Sequence, residues 1–149
     1  HSDLRRQRQM CIRDSVTGIG GIRLAEVKVM SGEYNIATKD AGAKVKMEPA
    51  SAKRHAKFAI DGKTSGNEFA ATVYGKEGLP AWLEIDLGSV KPVNSVIVWN
   101  TNLGGNIGKT LDDFDLILLD GSREEVFVAR KQPNPNPRLR IPVTQKAAE

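Results

Sequence analysis

The sequence contains few of the residues that mark disulfide-stapled, membrane-embedded or hydrolytic proteins. Cys11 is the only cysteine, which excludes an internal disulfide and leaves the redox compartment open. No apolar run approaches the ~18 residues of a membrane-spanning helix, so we expect no membrane span. The two histidines, His1 and His55, lie outside any motif typical of a Ser-His-Asp triad, and no acid/base pair of carboxylates is evident. We therefore predict no catalytic residues and no enzyme activity.

Charge also excludes a class of partner. The net charge is +4 over 149 residues, and basic and acidic residues alternate along most of the chain. A basic stripe with interleaved aromatic residues, which is typical of nucleic-acid-binding proteins, is absent, and aromatic residues make up only 5% of the sequence. We expect no nucleic-acid partner. With 40% hydrophobic and 27% charged residues, the composition is that of one soluble domain with a core of its own.

Two neighbouring segments, residues 82–88 and 93–100, carry the clearest strand patterns. Leu83, Ile85 and Leu87 alternate with polar residues, and the second segment is rich in β-branched side chains. Gly88 is expected to end the first strand, and the two strands are predicted to pair as the central hairpin of a sheet. Further strands are expected at residues 22–30, 34–37, 114–119, 125–129 and 138–143. Because no long helical period occurs, the prediction is an all-β fold, an antiparallel jelly-roll β-sandwich.

The termini are predicted to lie outside this sandwich. Residues 1–15 are polar and basic, and they resemble the translation of a sequencing adapter, so we expect a disordered, artefactual leader. A basic arm for nucleic acid or anionic lipid is the alternative. Residues 16–23 are expected to form a linker, residues 24–143 the sandwich, and residues 144–149 a frayed tail.

Three motifs resemble one family. They are W-x-E-x-D-L-G followed by V-x-x-V-x-V-x-N at residues 82–100, A-I-D-G-K-T at residues 59–64, and L-x-E-V-x-V at residues 24–29. Together they resemble the discoidin-like (coagulation-factor type C) and fucolectin-like modules of the galactose-binding-like superfamily, over residues 24–143. In that family the L-x-E strand usually closes the domain. Here it comes first, as the last strand of a preceding module or as the same strand in a permuted order.

The resemblance implies a structural calcium ion. Carried over residue by residue, the side-chain ligands are Asp61, Thr72 and Glu26, and the carbonyl ligands come from Phe58, Lys63 and Ala25. Oxygen donors of this kind suit Ca²⁺. The alternative is that Asp61 caps an ordinary turn and Glu26 is a surface charge. The calcium interpretation requires residues 24–30 to lie beside residues 58–63, so that Glu26 and Asp61 meet.

Sugar recognition is implied in a weaker form. The His and two Arg residues with which fucolectins hold a sugar are not matched, so fucose specificity is not inherited. A polar pocket at the loop end is expected from Arg54, His55, Tyr74, Asn102 and Lys109, and solvated loop residues are the alternative. Trp82 and Trp99 are expected in the core or on a sheet face.

The resulting functional hypothesis is a non-catalytic module that binds carbohydrate or another surface ligand. On the resemblance, it belongs to a larger exported bacterial protein, periplasmic or extracellular, and its partners are that ligand and the neighbouring domains. The alternative hypothesis is a structural protein–protein interaction domain beside a catalytic or cytochrome-like domain, without a small ligand.

Overall fold

The computed structural model describes residues 6–14, 21–48, 56–64, 71–74, 80–101 and 110–143. These residues form eleven strands and one 3-10 helix, Ala56–Ile60. The strands are β1 Arg6–Asp14, β2 Gly21–Leu24, β3 Glu26–Ser31, β4 Tyr34–Asn35, β5 Lys44–Glu48, β6 Ala71–Tyr74, β7 Trp82–Pro92, β8 Ser95–Trp99, β9 Phe114–Leu119, β10 Glu125–Gln132 and β11 Arg138–Pro142.

The strands form antiparallel sheets in a sandwich-like arrangement, which confirms the all-β prediction. The larger sheet has the order β10-β9-β1-β7-β5, and the second has the order β11-β8-β3-β4. Strands β2 and β6 form a separate pair. No helix in the described residues is long and apolar enough to cross a membrane.

The core lies between the two main sheets and follows from the two-residue period of their strands. Leu83, Ile85 and Leu87 of β7 are fully buried, and so are Val96 and Val98 of β8. Burial of a Leu, Ile or Val side chain stabilises a fold by roughly 1.5–3 kcal/mol relative to exposure. The apolar residues that alternate along both strands therefore face the core.

The predicted central hairpin is wrong, because β7 and β8 belong to different sheets. β7 pairs with β1 and β5, whereas β8 pairs with β3 and β11. Only residues 93 and 94 separate the two strands. Val93 is buried, and the backbone N–H of Asn94 donates to the Met30 carbonyl in the second sheet at 2.8 Å. The short connection thus carries the chain from one sheet to the other.

Gly88 does not end β7, which continues to Pro92. Its φ of +86° favours glycine, and a Cβ on Gly88 would lie 2.8 Å from the Gly42 carbonyl oxygen. Lys91 then donates from Nζ to the Ala41 carbonyl at 3.1 Å. Gly88 therefore marks the place where the turn before β5 packs on β7.

The prediction of a disordered segment over residues 1–15 is wrong for residues 6–14, which form β1. This strand lies between β7 and β9 in the larger sheet. Met10 and Ile12 are fully buried on its inner face. These two alternating apolar residues suffice for a strand, because β1 pairs with β7 on one side and with β9 on the other.

Other boundaries also differ from the predictions. Residues 21–23, assigned to a linker, belong to β2, and the strand expected over residues 22–30 is interrupted at Ala25. Residues 71–74, where no strand is predicted, form β6. The β9–β10 hairpin and the final strand β11 are confirmed.

Candidate functional site

The first residue of β3, Glu26, is a carboxylate buried inside the molecule. Its exposed fraction is 0%. Oε2 accepts a hydrogen bond from the backbone N–H of Gly62 at 3.0 Å, whereas Oε1 has no hydrogen-bond partner among the described residues. A buried carboxylate oxygen without a donor is costly, so this atom needs a proton or a cation.

Asp61 is the residue that meets Glu26. It follows the 3-10 helix, and its Oδ1 accepts a hydrogen bond from the backbone N–H of Lys63 at 3.0 Å, which makes an Asx turn. Gly62, with φ +84°, adopts the left-handed conformation that this turn requires. The Asp61 side chain lies within hydrogen-bonding reach of Glu26. The predicted meeting of Glu26 with Asp61 is therefore present in the structure.

The surroundings of Glu26 and Asp61 disfavour a negative charge on both carboxyl groups at once. Burial first, and the neighbouring Asp61 second, raise the pKa of Glu26 to about 8. The Gly62 N–H and the charge of Lys28 oppose this shift without cancelling it. At neutral pH, and without a cation, the Glu26 carboxyl holds a proton. A divalent cation would replace that proton and satisfy Glu26 Oε1.

Thr72, the third predicted side-chain ligand, lies on β6 opposite Arg23 of β2. It is 4% exposed, and its Oγ1 accepts a hydrogen bond from Arg23 Nη1 at 3.3 Å. β6 also packs against the 3-10 helix that leads to Asp61. Thr72 therefore lies on a strand that contacts the helix leading to Asp61, and its hydroxyl already accepts a hydrogen bond from a guanidinium.

The three predicted carbonyl donors lie on the same two segments as the carboxylates. Ala25 is buried and precedes Glu26, and its N–H donates to the Trp99 carbonyl at 2.8 Å. Phe58 lies in the 3-10 helix, and Lys63 closes the Asx turn. The described residues contain no group of three or more His, Cys, Asp or Glu side chains that could hold a metal. A cation at the Glu26–Asp61 pair would therefore rely on carbonyls, a hydroxyl or water for its other ligands.

The predicted sugar-binding residues remain predictions. Arg54, His55, Asn102 and Lys109 lie outside the described residues. Tyr74 is the last residue of β6, where its backbone pairs with Gly21, and its side chain lies outside the description.

The two tryptophans occupy half-buried positions, each with a lysine over its ring. The ammonium of Lys28 lies 4.8 Å from the ring centroid of Trp99, and that of Lys46 lies 5.8 Å from the ring centroid of Trp82. Such cation–π contacts cover a ring face that a sugar would otherwise use.

A concave surface next to Asp61 was not predicted from the sequence. This groove, between β5 and the 3-10 helix, encloses about 640 Å³, a size common for small-ligand sites. Four lysines line it together with Asp61: Lys39, Lys44, Lys57 and Lys63. Because these lysines are spread over 25 positions of the sequence, no local motif marks them.

A second hollow lies on the outer face of the larger sheet. It encloses about 240 Å³ and includes Glu84, which is 5% exposed. Arg123 Nη2 donates to Glu84 Oε1 at 2.8 Å, and Lys46 Nζ lies 3.7 Å from Oε2. These contacts neutralise Glu84 and give it a structural role in joining strands.

Comparisons with family models, curated proteins and solved structures found no match for this chain.

Proposed function

We propose that this chain is a non-catalytic module that binds carbohydrate or another surface ligand and is stabilised by a calcium ion. It would act as part of a larger exported bacterial protein. The observation that carries this proposal is the buried carboxylate of Glu26 beside the exposed Asp61, which lines the groove. Two converging carboxylates with an unsatisfied buried oxygen provide the start of a hard-cation site.

Calcium would act by holding the turn at residues 61–63 against the start of β3. Glu26 and Asp61 would supply the charged ligands, and Thr72 with the carbonyls of Ala25, Phe58 and Lys63 would supply neutral oxygens. The ion would do no chemistry itself. Its role would be to fix one wall of the ligand groove.

Calcium titration at pH 8 tests the metal part of this proposal. We expect Ca²⁺ to raise the melting temperature of the chain and Glu26→Gln to abolish that increase. Glu33→Gln, which removes an exposed carboxylate at the β3–β4 turn, is the matched control and should retain it. An unchanged melting temperature with Ca²⁺ in the unmodified chain would contradict the metal site.

A glycan array probed with and without a chelator tests the ligand part. Binding that weakens when calcium is removed supports the proposed module. No glycan binding in either condition favours the alternative, a structural interaction domain.

A further inference from the structure

The groove beside Asp61 concentrates positive charge. Lys39 lies in the turn before β5, Lys44 begins β5, Lys57 lies in the 3-10 helix and Lys63 follows the Asx turn. All four residues are exposed. Asp61 is the one carboxylate among the described residues that line the groove. Like charges around a concave surface reinforce one another and attract anions.

Most of this charge is not neutralised by neighbouring carboxylates. In the part of the chain that the structure describes, Lys39, Lys44 and Lys57 form no ion pair, whereas Lys46, two residues after Lys44 on the same face of β5, pairs with Glu84. The ammonium of Lys57 lies 5.7 Å from the centroid of the Phe58 ring. An anionic ligand would therefore gain new ion pairs without first breaking existing ones.

The floor of the groove is apolar. Ala43 and Ile60 are buried there, and Val45 and Phe58 are half-buried. The aliphatic carbons of this floor suit the C–H face of a sugar ring. Lysines above such a floor act as flexible point charges, which suit scattered carboxylate or sulfate groups.

We infer that this groove binds an acidic oligosaccharide, whose carboxylate or sulfate groups pair with the lysines while its rings lie on the apolar floor. This inference rests on the proposed carbohydrate-binding function and names the class of sugar. Single-stranded nucleic acid fits less well, because bases need several stacking rings and Phe58 is the one aromatic side chain among the described lining residues. A flat membrane surface also fits less well, because the charges lie in a hollow.

Calcium and the acidic sugar would assist each other through Asp61. A cation on the Glu26–Asp61 pair neutralises the carboxylate that otherwise repels an anion in the groove. By thermodynamic linkage, the acidic sugar would raise the affinity for calcium by the same factor.

The experiment compares two probes by calorimetry at pH 8 and low salt, with calcium and with a chelator. One probe is a galacturonic acid tetrasaccharide, and the other is a neutral galactose tetrasaccharide. We expect tighter binding of the acidic probe, further strengthened by calcium and weakened by added salt. Removing two groove lysines, in Lys44→Gln/Lys57→Gln, should reduce its affinity about tenfold, since the variant loses two exposed ion pairs with the sugar.

The control variant is Lys131→Gln/Arg140→Gln, which removes the same charge from exposed positions outside the groove and should bind as the unmodified chain does. Equal affinity for the two probes, or an unchanged affinity in the groove variant, would overturn the inference. Tighter binding of a poly-dT oligomer or of phosphatidylserine vesicles than of the acidic sugar would overturn it as well. The chain could bind the acidic probe in chelator and show no response to calcium. That result would support the binding groove and contradict only the metal site.

Discussion

The Glu26 carboxyl is a candidate metal ligand, and its protonation also affects the stability of the fold. It is buried, and its raised pKa of about 8 means that the folded chain holds a proton there that the unfolded chain releases near pH 4.5. Between these pH values the folded state binds more protons than the unfolded state, so stability falls as pH rises.

This effect predicts the pH profile of the calcium-free chain. The free energy of unfolding should decline from pH 5 to pH 9 by an amount on the order of a few kcal/mol. Glu26→Gln keeps an acceptor for the Gly62 N–H without a titrating proton, so its profile should be much flatter. Urea unfolding at a series of pH values, in chelator, measures both profiles.

Glu33→Gln serves as the control here too, and should follow the profile of the unmodified chain. A flat profile in the unmodified chain would show that Glu26 is ionised at no cost in the folded state. The electrostatic account of the Glu26–Asp61 pair would then be wrong.

Cys11 gives a second prediction for a single residue. Burial, followed by the nearby charge of Glu84, raises the pKa of its thiol to about 11. Because the thiolate is the reactive form, alkylation by iodoacetamide should be slow at pH 8 and should accelerate towards pH 11. Mass spectrometry of the folded chain measures this rate, and the urea-unfolded chain is the control. Equally fast labelling of the folded and unfolded chains at pH 8 would contradict the prediction.

At the scale of elements, mutations in β1 test whether residues 6–14 form a strand, because a strand and a disordered leader respond differently to mutation. Ile12 is fully buried, so Ile12→Ala should lower the free energy of unfolding by about 2–5 kcal/mol. Arg8 forms an exposed pair with Asp86 at 3.5 Å, so Arg8→Ala should change it by no more than about 1 kcal/mol. Urea midpoints of the two variants measure the difference. Unchanged urea midpoints in both variants would instead support a disordered leader.

The sequence predicts a strand well where the strand's own pattern is clear. It predicts a strand or its sheet poorly where pairing with neighbouring strands determines the structure. The strands predicted at residues 114–119, 125–129 and 138–143 correspond to β9, β10 and β11. β1 was missed because its inward apolar signal consists of Met10 and Ile12 alone. The pairing of β7 and β8 was predicted incorrectly because proximity in sequence does not indicate which sheet a strand joins.

The same reasoning applies to the candidate site. The meeting of Glu26 with Asp61 follows from the family resemblance of two short motifs, and the structure contains it. The four groove lysines were not predicted, since only the packing of the 3-10 helix beside β5 brings them together.

For the whole molecule, the two-residue connection between β7 and β8 predicts one cooperative unfolding transition. Trp82 reports on the larger sheet and Trp99 on the second sheet. Trp82→Phe and Trp99→Phe each leave one fluorescent probe. In each variant, the urea midpoint from fluorescence should coincide with that from far-UV circular dichroism, as two-state unfolding requires. A midpoint from one tryptophan that differs from the circular dichroism midpoint would show that the sheets unfold separately.

The position of β1 has a consequence for assembly. A chain shortened by residues 1–14 would retain β7 and β9 with an empty slot between them, and exposed strand edges recruit new strands. Such a chain should accept a synthetic peptide with the sequence of residues 6–14, or the corresponding strand of another molecule, in donor-strand complementation. The slot selects mainly for two large apolar side chains separated by one residue, as Met10 and Ile12 are, so peptides of differing sequence that keep this pattern should be able to fill it.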